Sequence, residues 1–392
     1  MFTAAPSAAR RHPFDGVRAL LICVVVAGHL ELTDFFVGGQ ARVLGFFAIS
    51  GFLVTSLLLK EHDKTESIDV RGFYFKRIAR LFPPLVLACV LTLIASAAAT
   101  HSWWPSSGVE PLFALATIGA ALSQTLVFFA ASGQTLAYEL VPVWSLNIDQ
   151  FFYLVAAPLL AWMLRFRTRT TLALVFAGAA AASFIRSTYL TVGGASDARV
   201  AYGIDTRSGA ILLGAFAAIA VTHPAVKGLL IAHARVIAMA CVAAIFVLGT
   251  RAVIDTTEHM TTWAQPAFSG AIVLVLAVLW HSPTLAAPVL TSTLLVWIGL
   301  RSYGIFLFHV PVMMATGGVS DSLWKNLGVV ATTLAIAAAS YRWLETPIAN
   351  GVRNKVKARN VASPPAEAQR VDSVVDVTDQ PATLAVDRTA PR

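Results

Sequence analysis

Apolar residues run along this chain in long unbroken blocks. Ten blocks, at 17–34, 42–60, 81–100, 144–164, 171–188, 207–222, 229–250, 264–281, 294–316 and 326–345, come near the roughly 20 residues that carry a helix across about 30 Å of hydrocarbon. The strands of a transmembrane barrel would alternate instead. An eleventh apolar stretch, 111–131, is interrupted by Ser123-Gln124-Thr125. Polar groups facing lipid find no partners, so this stretch is expected to be re-entrant or enclosed by the bundle. The pattern predicts an all-α fold, a polytopic transmembrane helical bundle with about ten spanning helices plus that one segment.

Charge then orients the bundle, because Lys and Arg collect on the cytoplasmic side. Arg10 and Arg11 put the N-terminus there, and Lys60, Lys64, Arg71, Lys76, Arg77 and Arg80 do the same for the turn after the second block. Thr100–Gly108 carries Trp103 and Trp104 but no Lys or Arg, as an outer loop would. If 111–131 crossed fully, Arg165, Arg167 and Arg169 would land outside. If it does not, they join Lys227, Arg353, Lys355, Lys357 and Arg359 on the cytoplasmic side, which is the arrangement expected. The organisation read from this is a cytoplasmic N-terminus at 1–13, a transmembrane unit at 14–347 and a disordered cytoplasmic tail at 348–392, rich in Ala, Val, Asp, Pro and Thr.

Composition agrees. Of 392 residues, 57% are hydrophobic and 13% charged, the latter about half the usual share in a soluble domain. One soluble core cannot hide so much apolar surface, which excludes a soluble enzyme, a disordered chain and a disulfide scaffold. The net charge of +8 is read as cytoplasmic loops and not as a nucleic-acid surface. Cys23, Cys89 and Cys241 all lie within apolar blocks, so neither disulfides nor a metal site is expected. The polar residues of the first block argue against a cleavable signal.

Charges inside a bilayer cost about 2.5–3.5 kcal/mol each on insertion scales, so each asks for a partner or a task. In FDGVRALLICVVVAGHLELTD, Arg18 and His29 are eleven residues apart and fall within about 20° of each other on a helix, with Asp15 about 60° from Arg18. One polar stripe therefore climbs the first helix. FFAISGFL places Ser50 beside Gly51. FYFKRIARLFPP places Arg77 and Arg80 on one face at the cytoplasmic entrance of the third block, where paired guanidiniums can grip phosphate. VPVWSLNIDQFFYL holds Trp144, read as part of an interfacial belt, then Ser145 and Asp149. Asp149 is expected at the depth of His29, where a carboxylate could orient an imidazole acting as general base. YGIDTRSG adds Asp205 and Arg207, RSYGIFLFH adds Ser302, Tyr303 and His309, and YRWLETPI adds Glu345. Structural readings compete with these: interhelical hydrogen bonds for His29 and Asp149, close packing at Ser50-Gly51, topology for the arginine pair, and ion pairs for Asp205/Arg207 and Arg342/Glu345.

Taken in order, FDGVRA with its downstream His29, FFAISGFL, R-x-x-R before Pro83, WSL with an acid three residues on, DTR with Gly214 seven residues later, SYGIFLFH and ETP resemble the acyltransferase family 3 membrane proteins. That family includes the O-acetyltransferases of bacterial surface polysaccharides. The resemblance spans residues 14 to 347 and implies acyl transfer from acyl-CoA, most simply acetyl-CoA, to a hydroxyl. It implies a catalytic role for His29 and donor handling by Arg77 and Arg80. Two positions depart from the family pattern: Asp149 stands where Glu is usual, and Phe306 where Tyr is common. Many relatives append an esterase-like periplasmic domain; here the expectation is the polar tail alone.

The combined expectation is a membrane O-acyltransferase of the bacterial cytoplasmic (inner) membrane, with both termini cytoplasmic. Acyl-CoA is its co-substrate and no cofactor or metal is bound. His29 is the general base, Asp149 its orienting partner, and Arg77, Arg80 and Arg18 hold the donor. Asp15, Ser50, Trp144, Ser145, Asp205, Arg207, Ser302, Tyr303, His309 and Glu345 support the polar path. Direct attack and an acyl-histidine route both fit these residues. The acceptor, a sugar of lipopolysaccharide, exopolysaccharide, peptidoglycan or a small glycoside, is open. A proton-coupled transporter built on the same His, Asp and Arg residues is the rival reading.

Overall fold

The computed structural model describes residues 13–32, 39–100, 111–134, 138–250 and 261–362. Expectations resting on Arg10, Arg11, residues 101–110 and 363–392 lie outside the described residues. The helices are α1 (Pro13–His29), α2 (Gly39–Thr65), α3 (Val70–Thr100), α4 (Pro111–Leu122), α5 (Leu126–Ala131), α6 (Val143–Phe166), α7 (Arg169–Val192), α8 (Asp197–Tyr202), α9 (Ile204–Arg207), α10 (Gly209–Ala220), α11 (Pro224–Ala232), α12 (Ala234–Leu248), α13 (Ala264–His281), α14 (Thr293–Leu300), α15 (Ser302–Ala315), α16 (Leu323–Ser340) and α17 (Thr346–Ala362). A π-helical turn, Tyr341–Glu345, joins the last two.

The architecture is a helical membrane bundle. Six described helical runs are long and apolar enough to cross a bilayer, and two bent pairs, α10 with α11 at 99° and α14 with α15 at 70°, raise that to eight. Ten were expected. The difference lies in α1, at 17 residues, and α12, at 15, which rise about 26 Å and 22 Å and so fall short of a full apolar span.

Three contacts show which turns share a face. Arg169, at the start of α7, pairs with Asp63 near the end of α2. Arg359 of α17 donates to both carboxylate oxygens of Asp69, at 2.8 and 2.7 Å. The α2–α3 turn, the α6–α7 turn and the C-terminal helix therefore lie together. It follows that α3 leaves this face and α6 returns to it, so the chain between them begins and ends on the far side. Stretch 111–131 does not cross as one helix, as its polar centre predicts. It breaks at 123–125 into pieces of 12 and 6 residues, with Gln124 at φ +62°. The break is held from α6. Buried Asn147 accepts from the Val127 N–H at 2.9 Å and donates to Gln124 Oε1 at 3.1 Å, which satisfies an amide that the start of α5 would otherwise leave bare.

Two boundaries differ from the sequence reading. Helix α3 starts at Val70 and not near residue 81, so Arg77 and Arg80 sit within its length, ahead of Pro83 and Pro84 in the helix interior. The C-terminal part stays helical to Ala362, where a disordered tail was expected from 348. Its anchorage explains this: Val356 is buried, and Arg359 is tied to Asp69.

The densest helix contact joins α2 and α10. A Cβ on Gly51 would strike the backbone oxygen of Ile211, and one on Gly214 would strike that of Ala48. The two backbones touch because these positions carry no side chain. On the far edge of α10, Arg207 is fully buried; its Nη1 donates to Gln265 Oε1 at 3.1 Å, and Gln265 Nε2 donates to the Thr206 carbonyl at 3.0 Å. Replacing Gln265 with leucine is expected to lower stability by about 1.5–3 kcal/mol, the range for a hydrogen bond to a charged group. A lower melting temperature of the detergent-solubilised protein would report it.

Candidate active site

Helices α1, α2, α3, α6 and α15 surround a cavity with about 780 Å³ of empty space, part of it open to the outside. Arg18, Arg77 and Arg80 line it against one carboxylate, Asp149. Three guanidiniums facing one acid make the enclosure attractive to anions. The arginines are held in place. Arg77 stacks on Tyr153 at 4.6 Å and on Phe73 at 5.3 Å. Arg18 lies 3.6 Å from Asp15, one turn below it on α1. Arg80, one turn on from Arg77, is exposed at the cavity mouth. Such stacking leaves the donor edge of Arg77 oriented at little further entropic cost.

Asp149 lies beside Ser50 and within electrostatic range of Arg77 and Arg18. Its Oδ1 is buried without a hydrogen-bond partner among the described residues. The Tyr153 hydroxyl donates to Ser50 Oγ at 3.4 Å, which closes a Ser50–Asp149–Tyr153 cluster beneath Arg77. Tyr303, opposite, donates its hydroxyl to the Leu81 carbonyl at 2.7 Å.

His29 stands elsewhere. Arg18 and His29 are separated by eleven residues of α1, about 16 Å of rise. His309 of α15 is one side-chain partner of His29: Nε2 of His309 is 3.4 Å from Nδ1 of His29, and the rings are 4.9 Å apart at 69°. His29 Nδ1 also faces the Val25 carbonyl at 2.9 Å. Asp149 sits instead with Ser50, Arg77 and Arg18 in the cavity, and is not the orienting partner that the sequence reading assigned to His29. Phe306 links the two levels, since it lines the cavity and its ring centroid is 5.9 Å from that of His309 and 6.4 Å from that of Phe46.

An acyltransferase domain profile matches residues 11–342, the greater part of the chain. The chain belongs to this acyltransferase family. Two relatives frame it. A protein named peptidoglycan O-acetyltransferase OatA, from Listeria monocytogenes, is 28% identical over 374 residues, covering 88% of this chain and 56% of the relative. A protein named O-acetyltransferase OatA, from Staphylococcus aureus, is 27% identical over 365 residues, covering 85% and 56%. The chain thus spans little more than half the length of these relatives. No solved structure matches it.

With the family in view, the remaining candidates sort by position. Ser145 and Ser302 line the cavity, but the Ser145 hydroxyl donates to the Pro142 carbonyl at 3.0 Å, as a local turn contact. Trp144 does not present its ring outward: it is buried between Phe47 and Tyr202, with ring centroids at 6.3 and 5.0 Å. Asp205 does not pair with Arg207. It accepts two bonds from Arg199, at 2.9 and 2.7 Å, and one from Arg186 at 3.3 Å, on the wall of a separate crevice. The Arg199 guanidinium holds its carboxyl below the usual carboxylate range. Glu345 is buried and accepts from Ser340 Oγ at 2.9 Å. The sequence reading missed Tyr153, although its i+4 spacing from Asp149 put both on one face. It also missed Gln265, which no periodicity marks.

Proposed function

We propose that this protein is an O-acetyltransferase that carries an acetyl group from acetyl-CoA, entering on the arginine side, to a hydroxyl of a cell-surface glycan, with His29 as general base. The observation that carries this is the vertical arrangement of the site: an anion-attracting cavity with Arg18, Arg77 and Arg80, and an imidazole about 16 Å further along the same α1 helix. The separation suits a donor whose charged end stays below while a slender uncharged arm reaches the base. The acyltransferase family and the names of the relatives support the reaction class. The word peptidoglycan in one of those names supports a cell-wall glycan as acceptor, in a protein of the bacterial cytoplasmic membrane.

In the proposed chemistry, His29 takes the proton of the acceptor hydroxyl while its oxygen attacks the thioester carbonyl. The C–S bond breaks, and the departing thiolate receives the proton from the imidazolium. Asp149 then balances Arg18 and Arg77 and keeps the arginine cluster from repelling itself apart.

Purified protein in proteoliposomes, given labelled acetyl-CoA and peptidoglycan fragments, is expected to release CoA and acetylate the glycan. Arg77→Ala is expected to raise KM for acetyl-CoA by about tenfold or more, the weight of one charge-assisted contact to phosphate, with a smaller change in kcat. Uptake of a solute without CoA release would overturn the reading in favour of a transporter.

A further inference from the structure

A base must hold one ring nitrogen unprotonated and aimed at its substrate. The contacts around His29 fix which nitrogen that is. His309 Nδ1 faces two carbonyl oxygens, Phe306 O at 2.7 Å and Ile305 O at 3.2 Å. A carbonyl only accepts, so this nitrogen carries the proton and neutral His309 presents a lone pair at Nε2. That lone pair faces His29 Nδ1 at 3.4 Å, beside the Val25 carbonyl at 2.9 Å. With acceptors on both sides, His29 Nδ1 is a donor, and the basic lone pair of His29 belongs to Nε2.

We infer that His309 is the positioning residue of this site: a neutral imidazole, its own proton tied to the Phe306 carbonyl, that holds the His29 ring and accepts from its Nδ1–H as charge develops there. The role is the one usually given to a carboxylate beside a catalytic histidine. Here Asp149 lies beside Ser50 and the arginines, and another histidine faces His29 Nδ1. The fold supports the arrangement. His309 is 2% exposed, and it lies midway along α15, between Phe306 and Pro311. A buried polar ring in such surroundings keeps one orientation because each of its nitrogens has a partner.

The inference rests on His29 as the base proposed above, so both are tested together. Full-length wild type, His309→Leu, His309→Asn, His309→Gln and His29→Ala are compared in proteoliposomes with acetyl-CoA and a glycan acceptor. Glutamine can place an amide oxygen where the imidazole Nε2 stood, whereas asparagine stops near Nδ1 and cannot reach His29. His309→Leu and His309→Asn are expected to lose about 10- to 100-fold in kcat, the worth of one hydrogen bond to a charged group, with KM for acetyl-CoA within about twofold. His309→Gln is expected to stay within about threefold of wild type. Equal kcat in the Asn and Gln variants, or near-normal kcat in a folded Leu variant, overturns the inference. If the Leu variant does not fold, the Asn–Gln contrast decides alone. Should His29→Ala remain active, it is the base assignment that fails; should it be inactive while His309→Leu is not, only the positioning role falls.

Discussion

Replacing His29 with alanine is expected to lower the turnover of acetyl transfer by about 10²–10⁴-fold, the usual contribution of a positioned general base. KM for acetyl-CoA is expected to stay near the wild-type value, because the arginines that would meet the donor phosphates line a cavity that His29 does not, and Arg18 among them lies about 16 Å of helix rise away. The substitution empties space next to His309 but removes no contact of the arginine cluster, so the protein is expected to fold. Gel filtration and a thermal melt check the fold, and initial rates across acetyl-CoA concentrations separate kcat from KM. A folded His29→Ala protein with normal turnover removes His29 from the chemistry.

Gly51→Leu is expected to cost about 3 kcal/mol or more, at and beyond the upper end for overfilling a packed interior. The added carbons would enter space held by the Ile211 carbonyl, and that obstacle is backbone, which cannot swing aside as a side chain can. Gly214 repeats the problem from the other helix, against Ala48 O. The clash would part α2 from α10 and displace Ser50, which accepts from Tyr153 and lies beside Asp149. A fall in both membrane-inserted yield and melting temperature is the expected result. Gly51→Ala, with one carbon in place of four, should fall between. A Gly51→Leu protein that melts like wild type would show that these helices can separate freely.

Much of the architecture is legible because the bilayer imposes one rule on backbone polar groups and one length on helices. The apolar blocks locate nearly every long helix, and the charge count shows that 111–131 starts and ends on one side, an arrangement borne out by Arg169 meeting Asp63. What the pattern missed depends on contacts between distant segments. The α3 start at Val70 and the helix from Thr346 to Ala362 are amphipathic or polar, and their order comes from Asp69, Val356 and Arg359. Within the site, depth along a helix was readable and so was the face of each residue. Arg18, Arg77, Arg80, Ser50 and Asp149 do line one cavity. The pairing of His29 was not readable, because a carboxylate and a second imidazole can both accept from an imidazole N–H, and only the relative rotation and offset of α1, α6 and α15 choose between them. Trp144 shows the same limit: a tryptophan near a helix end suits an interface, until a neighbouring helix covers it.

The Phe306 ring, set against Phe46 on one side and His309 on the other, has a consequence for the cell's energy supply. A membrane that stores a proton gradient drains through any continuous thread of water, and an apolar constriction breaks such a thread by dewetting. The tilted rings of Phe46 and Phe306, 6.4 Å apart at 54°, put apolar edges of that kind between the arginine-lined cavity and His309. Under the proposed reaction, only a thin organic arm would have to pass this point, and the same apolar edges would turn hydrated ions back and so guard the membrane against a leak.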